Sequence, residues 1–484
     1  MSGLRKHLTQ PAIALAIVFL FCRMAIAAPA QTFTTLVNFG NSAFPEASLV
    51  QGRDGNLYGT TFNDPNNPNR LGTVFRMTPS GSLTTIYSFC SQTNCTDGAW
   101  PAAGLVLATD GNFYGTTTRG GTSFSGGTVF KITPAGKLTT IYSFCTQVGC
   151  PDGAVPMAAL IQAIDGSLYG TTLSGGSTCG FPDNSCGVVF KITLDGKLTT
   201  LHTFCDQTAC PDGRNPYSSL IQAADGNFYG TTFSGGTKRN GVIFKITPAG
   251  KFAVVLRFAG FQGSESAAGL IQATSGDLYG TVVRGGAHDA GAVFSATTLG
   301  GYTKLYDFCA LQYCRDGQYP RAGLVQASDG NFYGAAYLGG TAGRGTLFKV
   351  TSGGKFTRLH TFRGPDGNGP PAALLQATDG SFYGVTDSGG SGNGGTVFRL
   401  SAGLGPFVRT VTASGELGAT VEILGTNLTA ATAVSFNGTR AAFTVVSSTE
   451  IRATVPAGAT TGPVIVTTPG GSLTSNRRFL VIHR

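Results

Sequence analysis

A tyrosine-glycine step constrains the fold of this 484-residue chain more than any other feature in it. It recurs seven times, as Tyr58-Gly59, Tyr114-Gly115, Tyr169-Gly170, Tyr229-Gly230, Tyr279-Gly280, Tyr333-Gly334 and Tyr383-Gly384, at intervals of 50 to 60 residues. Such a period implies an array of like units, each too small to bury its own apolar face. Each unit carries four short strand-like segments. The first is a run such as Leu160-Ile161-Gln162-Ala163. The second is Asn112-Phe113-Tyr114-Gly115-Thr116-Thr117 and its relatives. The third is Gly127-Thr128-Val129-Phe130-Lys131-Ile132, and the fourth Leu138-Thr139-Thr140-Ile141-Tyr142-Ser143-Phe144. Asp-Gly and other glycine turns join them, which marks hairpins and accounts for much of the glycine, 72 residues in all. Four antiparallel strands in about 50 residues make one propeller blade.

The order of the segments selects a ring over a linear stack. The fourth segment appears first in the chain, as Phe33-Thr34-Thr35-Leu36-Val37-Asn38-Phe39, and the last repeat stops after its third segment, at Val397-Phe398-Arg399-Leu400. Pairing the spare N-terminal strand with the last sheet closes a ring and leaves no open end. The expectation for residues 31–401 is a seven-bladed β-propeller closed by its N-terminal strand, with the leucine-glutamine segment innermost.

The recurrent Gly-Leu-Ile/Val-Gln-Ala-x-Asp-Gly-x-Phe-Tyr-Gly-Thr-Thr, then Gly-Gly, then Gly-Thr-Val-Phe-Lys-Ile, resembles the bacterial tandem-repeat proteins named for their GloVer motif. The resemblance covers about residues 33–400. It implies a secreted or surface protein and supplies no catalytic residues. The first repeat departs from it with Asn63-Asp64-Pro65 in place of Gly-Gly, and the fifth with Ser295 where Lys or Arg follows Phe. Beyond Gly405 the repeat ends. Gly418-Ala419-Thr420-Val421-Glu422-Ile423-Leu424, Val434-Ser435-Phe436-Asn437-Gly438, Ile451-Arg452-Ala453-Thr454-Val455 and Gly462-Pro463-Val464-Ile465-Val466 read as short strands of a small β-sandwich. They are similar to the immunoglobulin-like module called IPT or TIG, which in exported bacterial chains implies a spacer or adhesion role. The second domain is placed at 402–484, and the fold class is all-β.

Residues 1–30 read as a cleaved secretory leader, with Arg5 and Lys6, an apolar run from Ala12 to Phe21, and small-residue cleavage sites at Ala25-Ile26-Ala27 and Ala28-Pro29-Ala30. No other segment reads as a membrane span. Of 11 cysteines, Cys22 leaves with the leader. The rest form local pairs, Cys90/Cys95, Cys145/Cys150, Cys179/Cys186, Cys205/Cys210 and Cys309/Cys314, which behind a leader imply disulfides. Each would contribute about 2 kcal/mol by closing a short loop. No second pair or His cluster stands nearby to complete a zinc site, so no metal or cofactor is expected. The formal charge of +9, or +6 after loss of Arg5, Lys6 and Arg23, is scattered and does not indicate a nucleic-acid partner. The expected location is secreted or cell-envelope, and the expected state a monomer.

Candidate chemistry is sparse. His202 and His360 replace tyrosines of sister strands, and no Ser-His-Asp or Cys-His set is found. Asp54, Asp110, Asp165, Asp225, Asp329 and Asp379 belong to the Asp-Gly turns. A second aspartate series, Asp97, Asp152, Asp212 and Asp316, follows the cysteine pairs in the loops between repeats. With Trp100, Tyr217, Tyr319, Arg214 and Arg321 it forms a candidate rim for stacking on sugar rings and bonding hydroxyls. The function expected is non-enzymatic binding or scaffolding, toward a saccharide or another surface protein. The alternative is a polysaccharide hydrolase or lyase using the rim aspartates, which requires carboxylates facing one another.

Overall fold

The computed structural model describes residues 31–64, 66, 71–176 and 186–482. The expected leader at 1–30 and Cys179 lie outside them. The chain is all-β, and among the described residues seven four-stranded antiparallel sheets succeed one another between Thr32 and Ser401.

The second sheet is typical. From the inside outward it runs Val106–Leu107, Phe113–Thr117, Thr128–Ile132 and Leu138–Ser143. The second strand is wholly buried and the outer one half-exposed. Gly115 pairs with Phe130 across the ladder. A Cβ there would come within 2.6 Å of the Phe130 ring and 2.9 Å of Leu105. The tyrosine-glycine and valine-phenylalanine signatures are therefore one device: the glycine makes room for the phenylalanine of the next strand. Asp110 of the Asp-Gly turn ties the same two strands together. It accepts from Asn112 N–H (3.0 Å), Tyr114 Oη (2.9 Å) and Lys131 Nζ (2.8 Å). Asp165 and Asp225 repeat the arrangement with Lys191 and Lys245. The fifth repeat carries Ser275 and Ser295 in place of Asp and Lys, so both ends of the ion pair are lost together and neither charge is stranded.

Thr32–Asn38 completes the last sheet by pairing with Thr396–Ser401 in antiparallel register, Phe33 opposite Leu400 and Asn38 opposite Thr396. Apolar cores lie between successive sheets. Tyr114 and Val129 of the second pack with Leu168 and Phe190 of the third. Tyr383 and Val397 of the last pack with Leu57 and Phe75 of the first. The sheets thus contact one another in a closed cycle.

A ring of glutamines reinforces that cycle at one end of the axis. Gln162, at the end of one inner strand, accepts from Thr109 N–H of the preceding sheet (2.8 Å). Gln222, Gln272, Gln326 and Gln376 do the same for Ile164, Ala224, Thr274 and Ser328. Gln51 carries the pattern across the closure to Thr378 (3.1 Å). The second sheet breaks it, with Leu107 at that position. There Arg53 reaches over from the first sheet to the Thr109 carbonyl (2.8 Å), and Leu424 of the C-terminal region joins the core that contains Leu107.

That region consists of two four-stranded sheets and a short parallel pair around a common core of Val421, Ile423, Val434, Phe436, Ile451, Val464 and Val466. It is held to the first sheet by Arg53, 3.3 Å from Glu422 and 3.9 Å from Glu450. Thr449 Oγ1 donates to the Arg53 carbonyl (2.7 Å) and Arg409 to the Gln51 carbonyl (3.1 Å). No helix among the described residues is long and apolar enough to cross a membrane.

Candidate ligand site at the mouth of the axial cavity

Each inner strand is entered through the same five residues, and their geometry builds a site at the end of the axis opposite the glutamines. The first is Phe44, Trp100, Val155, Asn215, Glu265, Tyr319 or Gly369 in the seven sheets, held at φ between 48 and 63°. Its carbonyl accepts the N–H of a residue just past the second strand: Phe62, Thr118, Leu173, Phe233, Val283, Tyr337 or Asp387, at 3.0 to 3.3 Å. A proline follows in six of the seven repeats and a serine, Ser266, in the fifth. The next residue points inward: Glu46, Ala102, Met157, Tyr217, Ala267, Arg321 or Pro371. After it come only Ala, Ser and Gly, because neighbouring inner segments meet there. A Cβ on Gly104 would lie 2.9 Å from the Ser48 carbonyl.

All seven of those inward residues line a cavity of about 630 Å³ on the axis, together with Phe233, Glu265, Val283, Tyr337 and Asp387. The column after the proline converges on the mouth whole, joined by four residues of the column past the second strand and by Glu265 of the first, and these columns differ from sheet to sheet in size, charge and polarity. Beside them the Pro, Ala, Leu and Tyr-Gly columns hardly change, while Thr-Thr gives way to Thr281-Val282, Ala335-Ala336 and Val385-Thr386 in the last three repeats. Six of the seven first-column residues keep a side chain in a left-handed backbone that glycine adopts freely, at a cost of about 1 kcal/mol each.

The mouth is chemically two-sided. Ala102, Met157 and Val283 are apolar, whereas Glu46, Arg321, Tyr337 and Asp387 come from the sixth, seventh and first sheets. The Arg321 guanidinium lies over the Tyr337 ring, 4.3 Å from its centre. The Tyr337 hydroxyl donates to Asp387, which also accepts from Ser388 Oγ (2.8 Å). Burial lifts the Glu46 carboxyl above its ordinary range and the Asp387 charge adds to the lift. Burial lifts Asp387 as well, against the bonds from Tyr337 and Ser388 and the charge of Arg321. The Tyr337 phenol is pushed up to about 12 by burial and then by its bond to Asp387. Tyr217 is raised by burial and by Glu46, against Arg321, so groups from opposite sides of the cavity act on one another.

Of the residues expected on the rim, Tyr217 and Arg321 line the cavity. Trp100 and Tyr319 stand in the first column, on the second and sixth sheets, with at least two sheets between them either way round. Trp100 stacks on Phe62 (5.9 Å between centres), and Arg284 lies over Tyr319 at 5.2 Å. They do not form one patch. Arg214 lies in the loop leading to its strand, its Nε bonded to Asn215 Oδ1 at 3.2 Å.

The four loop aspartates require a correction. Asp97 accepts from Tyr87 Oη (2.8 Å), Ser91 N–H (2.8 Å) and Ser91 Oγ (2.7 Å), and Asp316 from Tyr306 Oη (2.7 Å) and two backbone N–H groups. Asp152 binds Tyr142 and Cys145 N–H, and Asp212 binds His202 and Cys205 N–H. Each carboxylate is turned into its own loop and none lines the cavity, so they offer no facing pair for a hydrolase or lyase. The same pattern accounts for the two histidines, since His360 bonds Asp366 (2.8 Å) as its sister tyrosines bond theirs.

Disulfides join Cys90 to Cys95, Cys145 to Cys150, Cys205 to Cys210 and Cys309 to Cys314. The loops they close lie on the mouth side, where Cys95, Cys150, Cys210 and Cys314 carbonyls accept from the Gly-Gly loops. The fifth expected pair, Cys179 with Cys186, stands apart from these four. Cys186 is buried and disulfide-bonded, and its carbonyl accepts from Asn215 N–H (3.0 Å) at the entry to the next inner strand. Cys179, its expected partner, lies outside the described residues. No group of three or more His, Cys, Asp or Glu able to hold a metal ion is found among the described residues.

Fold and site define a repeat protein with constant sheets and a varied axial mouth. The chain belongs to the Gloeobacter/Verrucomicrobia repeat family, whose model matches residues 23–182, 152–325 and 310–439. An IPT/TIG domain follows at residues 406–480. No curated protein matches the sequence. Among solved structures, the chain is similar to a fungal alcohol oxidase of the AA5 family, in complex with copper, at 13% identity and a TM-score of 0.54, covering 93% of this chain and 100% of that one. It is also similar to the extracellular domain of a hybrid two-component system from B. thetaiotaomicron, at 11% identity and a TM-score of 0.51. That match covers 82% of this chain and 46% of the other, so the present chain spans less than half of that relative. At these identities the likeness concerns the fold alone.

Proposed function

We propose that this protein is an exported, monomeric, non-enzymatic binding protein that takes a saccharide at the mouth of the axial cavity. In this reading residues 1–30 are a cleaved leader, residues 31–401 a seven-bladed β-propeller, and residues 402–484 an immunoglobulin-like spacer at the cell envelope. The observation that carries the reading is the convergence of Glu46, Tyr217, Phe233, Arg321, Tyr337 and Asp387, drawn from four of the sheets, on one axial cavity. Tyr217, Phe233 and Tyr337 offer ring faces to the apolar side of a sugar. Arg321, Glu46 and Asp387 offer charged hydrogen-bonding groups to its hydroxyls. Four disulfides stiffen the loops that feed the mouth, which lowers the ordering cost of binding and suits an oxidising compartment. The extracellular setting of the B. thetaiotaomicron relative is in keeping with this.

Glycan-array binding by the full chain tests the proposal. Tyr217→Ala and Arg321→Ala are expected to abolish binding, and Trp100→Ala and Tyr319→Ala, on the outer ring, to weaken it. Unchanged binding in the first two removes the site from the mouth. Loss confined to the second two moves the ligand to the rim.

A further inference from the structure

Resting on the saccharide reading, we infer that the ligand is an extended chain of flat, equatorially substituted pyranoses, which leaves the cavity over the second sheet and stacks on a platform of Phe62, Trp100 and Phe124. The shape of the mouth leads to this. On the fourth to seventh sheets the residue past the second strand, Phe233, Val283, Tyr337 or Asp387, stands in the cavity wall. On the first three sheets the wall is made by the inner-strand entries alone. On the second sheet these are Ala102, Ala103 and Gly104, all small, and Trp100 stands two residues before them.

Trp100 is the only tryptophan of the chain, and it is partly exposed in a left-handed backbone at φ 57°. Its ring lies nearly parallel to that of Phe62, at 11° and 5.9 Å between centres. Phe124 stands across it at 71° and 5.9 Å, at the tip of a loop otherwise made of Gly, Ser and Thr, and is 48% exposed. The backbone fixes this corner. Trp100 N–H donates to the Leu71 carbonyl (2.7 Å), and the Trp100 carbonyl accepts from Thr118 N–H and Oγ1, both at 3.0 Å. The Phe124 carbonyl accepts from Gly120 N–H (2.9 Å), and Arg119 holds the same loop through the Ser125 carbonyl (3.0 Å). Large rings held in order at the lip of a cavity, and left open to water, offer apolar area at little ordering cost. A flat C–H face is what such rings receive. A pyranose with all its hydroxyls equatorial has two such faces, and β-1,4 linkage keeps successive units in one extended ribbon. The end unit then occupies the cavity while later units cross Ala102 to reach the platform.

Since Trp100 is the only tryptophan, the emission of the unaltered full chain reports on the platform alone. Cellobiose, cellotetraose and cellohexaose, titrated with heat and emission read together, test the inference. Cellohexaose is expected to bind about tenfold more tightly than cellobiose. The longer oligomers should shift Trp100 emission to the blue and shield it from iodide, and cellobiose should not. Phe124→Ala should bring the ratio of the two affinities toward one. Equal affinities at all lengths, binding heat without any change in emission, or a ratio that survives Phe124→Ala each overturn the inference and leave the saccharide reading standing. Binding of no cello-oligomer overturns the inference, and silence across the glycan array as well overturns both. Should Phe124→Ala fail to fold, emission and quenching in the unaltered chain decide by themselves.

Discussion

Asp316 is turned into its own loop and the outer strand before it. It is fully buried, and the donors it satisfies are Tyr306 Oη at 2.7 Å, Ala310 N–H at 2.9 Å and Leu311 N–H at 3.2 Å. Asp316→Ala leaves these donors without a partner in a dry setting, and the expected loss is about 3 kcal/mol in a denaturant titration. Asp316→Asn keeps one acceptor oxygen and should lose less. Neither should change saccharide affinity. A stable Asp316→Ala protein that no longer binds would make the aspartate a ligand contact instead. The sequence places Asp97, Asp152, Asp212 and Asp316 beside cysteines and aromatics and so suggests a site, but their partners are backbone N–H groups, which carry no letter, and a Tyr or His of the outer strand ten residues earlier. Tyr217 and Arg321 could be found because they stand in those same loops. Glu46, Phe233, Tyr337 and Asp387 escaped because each looks like an ordinary loop residue when read alone. The signal lies across the repeats: aligned one under another, the residue after Pro changes while Pro and Ala on either side hardly do. A position constant through seven units serves packing, and a position free to change between constant ones faces open space.

Strand Thr32–Asn38 makes the ring continuous. Its partner strand, Thr396–Ser401, otherwise presents an unpaired edge, and bare edges pair with other chains. Deletion of residues 32–38 is expected to lower the thermal midpoint and give concentration-dependent association in light scattering. A truncated chain that stays monomeric at the same midpoint would mean that closure rests on side-chain packing and the Gln51–Thr378 bond alone. This element was legible in advance because the count of fourth segments is permuted, and only a ring benefits from that permutation. The glutamine ring was not legible as such. Gln162 and its equivalents look like the polar end of an amphipathic strand, and their partner is the N–H of a turn about 50 residues away. Leu107, the one break in the pattern, makes sense only with the C-terminal residues packed beside it.

Arg53 joins the two parts of the molecule. Its guanidinium lies among the Thr109 carbonyl, Glu422 and Glu450, and its own carbonyl accepts from Thr449. The three side chains are 18%, 15% and 7% exposed, so the network is mostly withdrawn from water and little screened by salt. A pair in that setting contributes modestly when intact, because desolvation offsets attraction, but removal of one partner strands the other. Arg53→Ala leaves Glu422 and Glu450 facing one another with only Arg452, 3.3 Å from Glu450 and itself 49% exposed, to balance them. The expected cost to docking is about 3 kcal/mol, within the range for breaking a buried pair. Leu424 remains packed near Leu107, so the parts should loosen without either unfolding. Two measurements test this. Limited proteolysis should open the 401–406 segment in Arg53→Ala, and the single unfolding transition should split in calorimetry, the upper step keeping the midpoint of the repeat domain. Arg53→Met with Glu422→Leu and Glu450→Leu removes all three charges and replaces them with apolar surface, and should restore protease resistance. If Arg53→Ala cleaves no faster than the unaltered chain, apolar contact around Leu424 holds the domains by itself and the ion network only sets their orientation.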